Sequence, residues 1–317
     1  REQDSTWFQD SNGDLWVPRV PGADIFLKRG SGTFDDKTTQ FATQFLLELW
    51  KVSGEERFAE ATKRGANFML EAQYLSGCWP QKYPLQDNYT SYITLNDAAM
   101  MDVMRTFFIL WENLGDVQYY KAALRGADCL LELQRNPPQA GWAQQYTPDG
   151  KFGWGRPWEP PALSSRASID VLKVLLEVYM KTGDKRYLES GNRTFEWLLN
   201  SQLNNGKWAM YYEYGTNKPI YAGADREIAY QYKEALEYRP GYSWHGNYFD
   251  PVLKESYEKF LDTPSNERQK VLISEPEPFD SVWTKAHKVT ADLDDNDFWT
   301  QQMNGEYLDF YFEKFGS

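Results

Sequence analysis

The chain has 317 residues, of which 41% are hydrophobic and 16% aromatic, and its 34 basic and 46 acidic side chains give a formal net charge of −12 at pH 7. This composition is typical of a globular protein with a large core and excludes a disordered or fibrous chain. An acidic chain without a basic tract is not expected to bind nucleic acid, because phosphate binding needs a surface of lysine and arginine. No apolar run reaches the roughly 20 residues that span a bilayer, so we expect no membrane span.

Three segments of the chain align with one another, over about 36–84, 97–146 and 164–214. Each begins with apolar residues three or four positions apart, the spacing of one helix face. A Gly-Asp or Gly-Glu step then interrupts the pattern, as expected where a glycine ends one helix and an acidic residue starts the next. A second helical stretch follows and ends in glutamine, a short loop and Gly-X-Trp or Gly-Trp. Each segment therefore predicts a helical hairpin.

Stacked helical hairpins build a toroid or solenoid. We predict an all-α fold, an incomplete (α/α)3 toroid with one substrate groove on the rim formed by its loops. The prediction is one domain over 1–317, with a C-terminal helical region over 225–317. Within that region, helices are expected over 225–239, 248–262 and 279–290.

Cysteine and histidine are scarce. The chain contains Cys78, Cys129, His245 and His287, and neither cysteine lies in a CxxC or Cys/His pattern. This argues against a structural zinc site. The sequence allows a single disulfide but gives no support for it.

Aromatic residues, amides and lysine alternate in the loops that follow the hairpins. Rings can stack on the apolar faces of sugars and amides can bind hydroxyl groups, so these loops indicate a carbohydrate groove. Trp16 would add a fourth tryptophan from an incomplete N-terminal unit. The alternative is that each tryptophan closes the core of its own repeat. The predicted substrate-binding residues are Trp79, Gln81, Lys82, Tyr83, Trp142, Gln144, Trp208, Tyr212, Asn217 and Trp244.

Seven stretches of the chain resemble polysaccharide lyase family 10, the pectate or pectic acid lyases. They are TFDD at 33–36, GCWPQKYPL at 77–85, ITLNDAAM at 93–100, WAQQY at 142–146, WEPPALS at 158–164, YYEYGTNKPIY at 211–221 and GYSW at 241–244. The resemblance implies the (α/α)3 toroid. It also implies cleavage of polygalacturonate by β-elimination with calcium, with an arginine as the base that removes the proton on C5.

The chain departs from this family at positions that carry the chemistry. Ala98 replaces an acidic residue, Thr147 stands where the family has an aspartate near calcium, and Ala167 stands at a glutamate. Ala224 occupies the place of the expected arginine base. The resemblance therefore allows calcium as a cofactor, but its ligand positions are altered, and the sequence predicts no metal ligand. We expect the usual calcium and arginine mechanism to be absent.

Elimination from a uronate needs a group that neutralises the carboxylate and a base that reaches the C5 proton. Arginines could replace calcium in the first role, and Tyr242, Tyr230 or His245 could be the base. Asp97 fits either the site or a helix cap. The predicted catalytic residues are Arg226, Arg239, Tyr242, His245, Asp97 and Arg166.

Two classes of function remain. The first is a carbohydrate lyase acting across C4 and C5 of a uronic acid, in pectate-like chains or another polymer such as ulvan, or as a dehydratase at the non-reducing end. The second is an inactive homologue that binds acidic polysaccharide. A glycoside hydrolase would need a carboxylate pair across the groove, and Glu159, Glu213 and Asp225 are available, but nothing in the sequence pairs them.

The expected partner is an acidic polysaccharide or oligosaccharide, and the protein is expected to be a monomer. A bacterial secreted, periplasmic or cell-surface location suits such a substrate. The chain opens at Arg1 without a charged and apolar leader, so no signal peptide is expected within it.

Overall fold

The structure is a computed structural model that describes residues 8–9, 15–16, 32–223, 226–249, 251–264, 267–268, 299–303 and 306–310. The chain divides into two compact units, Arg1–Leu253 and Lys254–Ser317. The first unit contains the three repeats. Within the described ranges, no helix is both long and apolar enough to cross a membrane.

Six helices of the first unit form three hairpins. The pairs are α1 (Thr38–Ser53) with α2 (Glu56–Glu71), α3 (Ala99–Leu114) with α4 (Val117–Leu133), and α5 (Ser165–Thr182) with α6 (Lys185–Asn200). Each pair falls within one sequence repeat. The predicted helical hairpins are confirmed.

A glycine ends the first helix of every hairpin. Gly54, Gly115 and Gly183 have φ angles of 70°, 74° and 72°, in the left-handed region that glycine adopts without a Cβ clash. Their N–H groups donate to carbonyl oxygens four residues earlier at 2.7–2.8 Å. In the second and third hairpins, Asp116 and Asp184 then accept hydrogen bonds from backbone N–H groups two residues on, at 2.9 and 3.0 Å. The Gly-Asp step therefore ends one helix and caps the next.

The core lies between the first helices of the hairpins, where α1 contacts α3 and α3 contacts α5. Met100, Met104 and Phe107 on α3 and Leu172 and Leu175 on α5 are 0% exposed. Burying one such side chain contributes about 1.5–3 kcal/mol to folding. The predicted all-α architecture, an incomplete toroid of three hairpins, is confirmed.

Short antiparallel strand pairs lie before, between and after the helical hairpins in the chain. The pairs are β1 (Phe8–Gln9) with β2 (Leu15–Trp16), β3 (Gly32–Thr33) with β4 (Lys82–Tyr83), β5 (Ile93–Thr94) with β6 (Gln145–Tyr146), β7 (Leu163–Ser164) with β9 (Tyr211–Tyr212), β8 (Trp208–Ala209) with β12 (His245–Gly246), and β10 (Pro219–Ala222) with both β9 and β11 (Ile228–Ala229). Strands β3, β5 and β7 lead into α1, α3 and α5. This pairing places the starts of those helices beside the loops that close the hairpins.

The predicted C-terminal helical region is only partly helical. The expected helix over 225–239 is wrong in its first half, because Ile228–Ala229 pairs with Tyr221–Ala222 as a strand, and only α7 (Tyr232–Tyr238) is helical. The helix over 248–262 is confirmed as α8 (Pro251–Asp262). The second unit also contains strands β13 (Trp299–Met303) and β14 (Glu306–Phe310), which pair antiparallel. The helix expected over 279–290 lies outside the described residues, and a single domain over 1–317 stays a prediction.

A disulfide joins Cys78 to Cys129, 51 residues apart in sequence. It ties the loop after α2 to α4, so it links the first hairpin to the second. Both side chains are buried, at 0% and 2% exposure.

Candidate active site

The rim tryptophans are buried in the core. Trp79 and Trp142 are 0% exposed and Trp208 is 6% exposed. Each indole N–H donates to a backbone carbonyl near the end of the second helix of its own hairpin, at 2.7–2.8 Å. The acceptors are Met69, Leu130 and Leu198. Their predicted stacking on sugars is therefore wrong, and the alternative, that each tryptophan closes the core of its repeat, is confirmed.

Four other predicted groove residues also form contacts within the protein instead of lining a groove. The rings of Tyr83, Tyr212 and Trp244 are at most 3% exposed. The Asn217 side-chain oxygen accepts a hydrogen bond from the Trp197 indole at 2.8 Å. The side chain of Trp16 lies outside the described residues.

Three carboxylates meet where α1 and α3 begin. Asp35, Asp36 and Asp97 each place one oxygen within 4.8 Å of the others. Asp36 and Asp97 occupy matching positions in the first two repeats, and both have left-handed backbones, with φ of 49° and 48°. Burial raises the pKa of Asp35, and the charges of Asp36 and Asp97 raise it further. We call Asp35, Asp36 and Asp97 the carboxylate cluster.

Two arginines neutralise part of this negative charge. Arg156 donates to Asp35 at 3.2 Å and to Glu159 at 3.3 Å, and Arg166 forms an ion pair with Asp97 at 3.0 Å. Glu159 is 3% exposed, and burial raises its pKa. When all are ionised, these four carboxylates and two guanidinium groups carry a formal charge of −2.

Several buried polar atoms around Asp35 have no hydrogen-bond partner within the described part of the chain. They are one oxygen of Asp35, the side-chain oxygen of Gln81 and both amide atoms of Gln145. The Gln81 amide nitrogen donates to the other oxygen of Asp35 at 2.8 Å. A Cβ on Gly155 would lie 1.8 Å from the Gln145 Oε1 and 2.5 Å from Glu159 Oε2, so any larger residue would displace these two side chains. Buried polar atoms without partners are rare, which indicates that this wall meets a ligand.

This donor set fits a calcium ion. Calcium prefers carboxylate and amide oxygens, and the carboxylate cluster together with the Gln81 oxygen offers them in one place. A divalent cation would also match the formal charge of −2. The sequence alone predicts no metal ligand here, whereas the fold assembles a candidate set.

A second wall of the site is aromatic and cationic. The Arg239 guanidinium lies 3.7 Å from the centre of the Trp158 ring and 5.3 Å from that of Tyr242. The Tyr242 hydroxyl is 3.2 Å from the Tyr211 hydroxyl, which donates to the Gln144 Oε1 at 2.6 Å. In the described residues, Arg239 forms no ion pair with a carboxylate.

The two walls face one site. Burial raises the pKa of Tyr242 above its usual 10.0, and the charges of Glu159 and Asp97 raise it further, while the hydrogen bond with Tyr211 and the charge of Arg239 lower it. Trp158, on which Arg239 stacks, directly precedes Glu159 in the chain, and Arg156 pairs with both Glu159 and Asp35. Tyr242 and Arg239 therefore share the site with the carboxylate cluster.

Of the remaining predicted catalytic and binding residues, some lie at the site and others do not. Arg226 donates to the Gly155 carbonyl at 3.1 Å, so it lies against the first wall. The ring of His245 stacks on Tyr232 at 4.0 Å, its Nε2 lies 2.7 Å from the Tyr221 hydroxyl, and burial and Lys207 lower its pKa. His245 is therefore committed to contacts outside the site.

Tyr230 is committed elsewhere as well, because its hydroxyl donates to Glu213 at 2.5 Å. Of the three predicted bases, the structure brings only Tyr242 to the site. Lys82 lies half-buried in β4. The sequence missed the roles of Asp35, Asp36 and Gln145, although aligning the first two repeats at their helix starts places Asp36 opposite Asp97.

Comparisons with known proteins agree with this architecture. The family model of pectic acid lyase matches residues 23–176, 157–212 and 207–253. The structure is similar to a family 10 polysaccharide lyase from Cellvibrio cellulosa, with a TM-score of 0.64 and 23% identity over 72% of this chain and 81% of that one. A mutant of a family 10 polysaccharide lyase from Cellvibrio cellulosa in complex with trigalacturonic acid matches with the same TM-score and identity, over 72% and 82%. No curated protein matches the sequence. The structural likeness shows the fold, and the family model covers most of the chain, which therefore belongs to the pectic acid lyase family.

Proposed function

We propose that the protein is a polysaccharide lyase that cleaves uronic acid chains by β-elimination across C4 and C5. Membership of the pectic acid lyase family supports the lyase class. The observation that carries the uronate substrate is Arg239, which is stacked on Trp158 beside Tyr242 and has no carboxylate partner in the described residues. An arginine held in this way is suited to bind the carboxylate of a sugar.

The reaction requires a proton to leave C5 and an oxygen to leave C4. The electron pair of the C5–H bond forms the C4–C5 double bond, and the pair of the C4–O bond leaves with the glycosidic oxygen. The leaving oxygen then takes up a proton. Negative charge develops on the uronate carboxylate as the C5 proton departs, so a cation bound to that carboxylate lowers the barrier.

Arg239 supplies a cation for the substrate carboxylate. Stacking on Trp158 holds the guanidinium plane in place, which leaves its edges able to donate two parallel hydrogen bonds. Arg156 and Arg166 are less suited to this role, because both already form ion pairs with carboxylates of the protein. Of the arginines predicted to replace calcium, this leaves Arg239 as the one suited to neutralise the substrate carboxylate.

Tyr242 is the proposed proton carrier. Its ionised form would take the C5 proton, and the resulting phenol would return that proton to the leaving oxygen, so the protons balance. Burial keeps most of the phenol protonated at neutral pH. The reaction should therefore accelerate with rising pH, about tenfold per pH unit below the Tyr242 pKa.

Calcium bound at the carboxylate cluster would neutralise the acidic wall and polarise a substrate carboxylate. Asp35, Asp36 and Asp97 would hold it, and Gln81 would fix the orientation of Asp35 by its hydrogen bond at 2.8 Å. Without a cation, a wall of net charge −2 would repel an anionic chain. We therefore expect turnover to need calcium, although the family's ligand positions at Ala98 and Thr147 have changed.

The test is ultraviolet absorbance of the protein mixed with a panel of uronic polysaccharides and oligosaccharides, with calcium or with a chelator. Growth of the unsaturated-uronate band with calcium, and its loss in chelator, is the expected result. A band that persists in chelator would show that arginines alone suffice. Measurable binding of a panel member with no product under either condition would support the alternative of an inactive binding protein.

Secretion is the proposed location. A buried disulfide such as Cys78–Cys129 is typical of proteins that fold in oxidising compartments. Action on an extracellular polysaccharide would also require secretion. Finding the protein in the culture medium of its source cells, with both thiols unreactive until reduction, would support this location.

A further inference from the structure

A second cleft opens beside the active site. Its volume is about 550 Å³. It lies between the loop after α4, the turn that precedes Phe152, and the loop after β9. The side chains on which its chemistry depends are Gln134, Arg135, Asn136, Phe152 and Tyr214. None of them takes part in the contacts described above for the active site.

Two aromatic rings form the apolar part of the cleft. Tyr214 is 45% exposed, although it is a large ring that could have packed inward. Its centre lies 6.0 Å from that of Phe152, in an edge-to-face arrangement. Phe152 is itself half-buried. An exposed ring supported by a second ring is a suitable platform for the apolar face of a sugar.

A fixed cation lies next to this platform. The Arg135 guanidinium is 4.4 Å from the centre of the Phe152 ring and 5.6 Å from that of Tyr146. One of its nitrogens donates to the Gly150 carbonyl at 3.0 Å. In the part of the chain that the structure describes, Arg135 forms no ion pair with a carboxylate, although the Glu132 side chain also lines the cleft. Arg135 is therefore held in place with hydrogen-bonding capacity for an anion.

The loop of the first wall continues into this cleft. Phe152 forms an antiparallel bridge with Tyr146, and the Gly153 N–H donates to the Gln145 carbonyl at 2.9 Å. The same loop runs on to Gly155 and the arginine that follows it in the first wall. Tyr214 lies three residues beyond Tyr211, which contacts Tyr242. A polymer bound in the active site could therefore extend along this loop.

We propose that this cleft is an accessory subsite for a further uronate unit of the bound polysaccharide, with the ring on Tyr214 and the carboxylate on Arg135. This inference rests on the proposed function. It assigns the cleft to the same chain that occupies the active site, at a point beyond the bond that is cleaved. Occupation of the subsite would raise affinity for long chains and leave short ones unaffected.

The experiment compares trigalacturonate with hexagalacturonate by titration calorimetry, with chromatography to check that the sugars remain intact. Tyr214→Ala should weaken hexagalacturonate binding about three- to tenfold and leave trigalacturonate binding unchanged. Tyr214→Phe should retain the parent affinity, because it keeps the ring. Phe45→Ala removes a ring that is 62% exposed on α1 and serves as the matched control.

The outcomes separate this inference from the proposed function. Unchanged hexagalacturonate affinity in Tyr214→Ala, or an equal loss for both sugars, would overturn the accessory subsite alone. A parent protein that binds neither sugar would overturn the galacturonate form of the proposed function and the subsite with it. Arg135→Gln provides a second variant, and it should show the same dependence on chain length with a weaker response to salt than the parent.

Discussion

The rim tryptophans and the helix starts lie at the same end of the toroid, yet they differ in how they repeat. Trp79, Trp142 and Trp208 make the same hydrogen bond in all three hairpins and are buried. The helix starts are not equivalent. Just before α1 and α3, Asp36 and Asp97 have left-handed backbones.

The third helix start takes a different form. Ser164 caps α5 by accepting a hydrogen bond from a backbone N–H at 3.3 Å, and Arg166 from the first turn reaches Asp97. One repeat therefore supplies a cation to the carboxylate of another. Features that recur in every hairpin hold the fold, because each hairpin has the same core to close, whereas features that differ between hairpins create the asymmetric site.

Truncating a repeated tryptophan tests the structural half of this comparison and should have the largest effect. Trp142→Ala would leave a cavity and remove the hydrogen bond from the indole to the Leu130 carbonyl, so the free energy of unfolding should fall by about 3–5 kcal/mol. Denaturant unfolding measures it, and Phe45→Ala should change stability by less than about 0.5 kcal/mol. A stable Trp142→Ala protein that no longer binds polysaccharide would contradict the structural role and show that Trp142 contributes to substrate binding.

Removing the proposed proton carrier tests the second half of this comparison, the asymmetric site. Tyr242→Phe should lower kcat about 10²- to 10⁴-fold because the phenol oxygen is lost, with little change in stability. The slope of kcat/KM against pH should disappear in the same variant. Tyr230→Phe alters an exposed tyrosine outside the site and is the control. Parent-like turnover by Tyr242→Phe would require another base.

Arg239 should have a smaller effect, mainly on substrate recognition. Arg239→Ala removes a charge-assisted contact to the carboxylate, so kcat/KM should fall roughly ten- to hundredfold. Arg239→Lys should recover only part of this loss, because an ammonium group does not stack on Trp158 as a planar guanidinium does. Initial rates on an acidic and an esterified substrate measure the effect. Equal losses on both substrates would contradict a role in carboxylate binding.

The smallest expected effect is a pH dependence of stability. The folded protein raises the pKa of Asp35 above 3.8 and that of Glu159 above 4.5, so these groups favour folding while they are protonated. That contribution is lost as pH rises through the raised values. In chelator, the free energy of unfolding should therefore fall as pH rises through the raised pKa of Asp35, and the difference between parent and Asp35→Asn should change with pH.

Calcium provides the control for this titration. Because the ion would favour the ionised carboxylate cluster, it should reduce or reverse the loss above pH 4.5. Denaturant unfolding at a series of pH values, with calcium and with chelator, measures both effects. A parent and an Asp35→Asn protein with parallel pH profiles would show that the Asp35 carboxylate is not perturbed.

The site was only partly predictable from the sequence. The sequence predicts Asp97, Arg166, Arg239 and Tyr242 as catalytic residues, and in the structure Arg166 pairs with Asp97 and Arg239 lies against the Tyr242 ring, while their catalytic roles stay predictions. His245 was predicted for the same chemistry, but strand β12 turns it toward Tyr221 and Tyr232. A side chain's type shows what it could do, whereas its direction depends on strand pairing between segments far apart in sequence.

The sequence by itself determined the helical hairpins, because apolar spacing and glycine caps act over a few residues. It also determined the family, since the order of its motifs is a property of the chain. Only the tertiary structure decided which aromatic rings are buried and which carboxylates meet. Both depend on the stacking of hairpins, which buries the repeated tryptophans and brings Asp35 and Asp97, far apart in the chain, to one wall of the site.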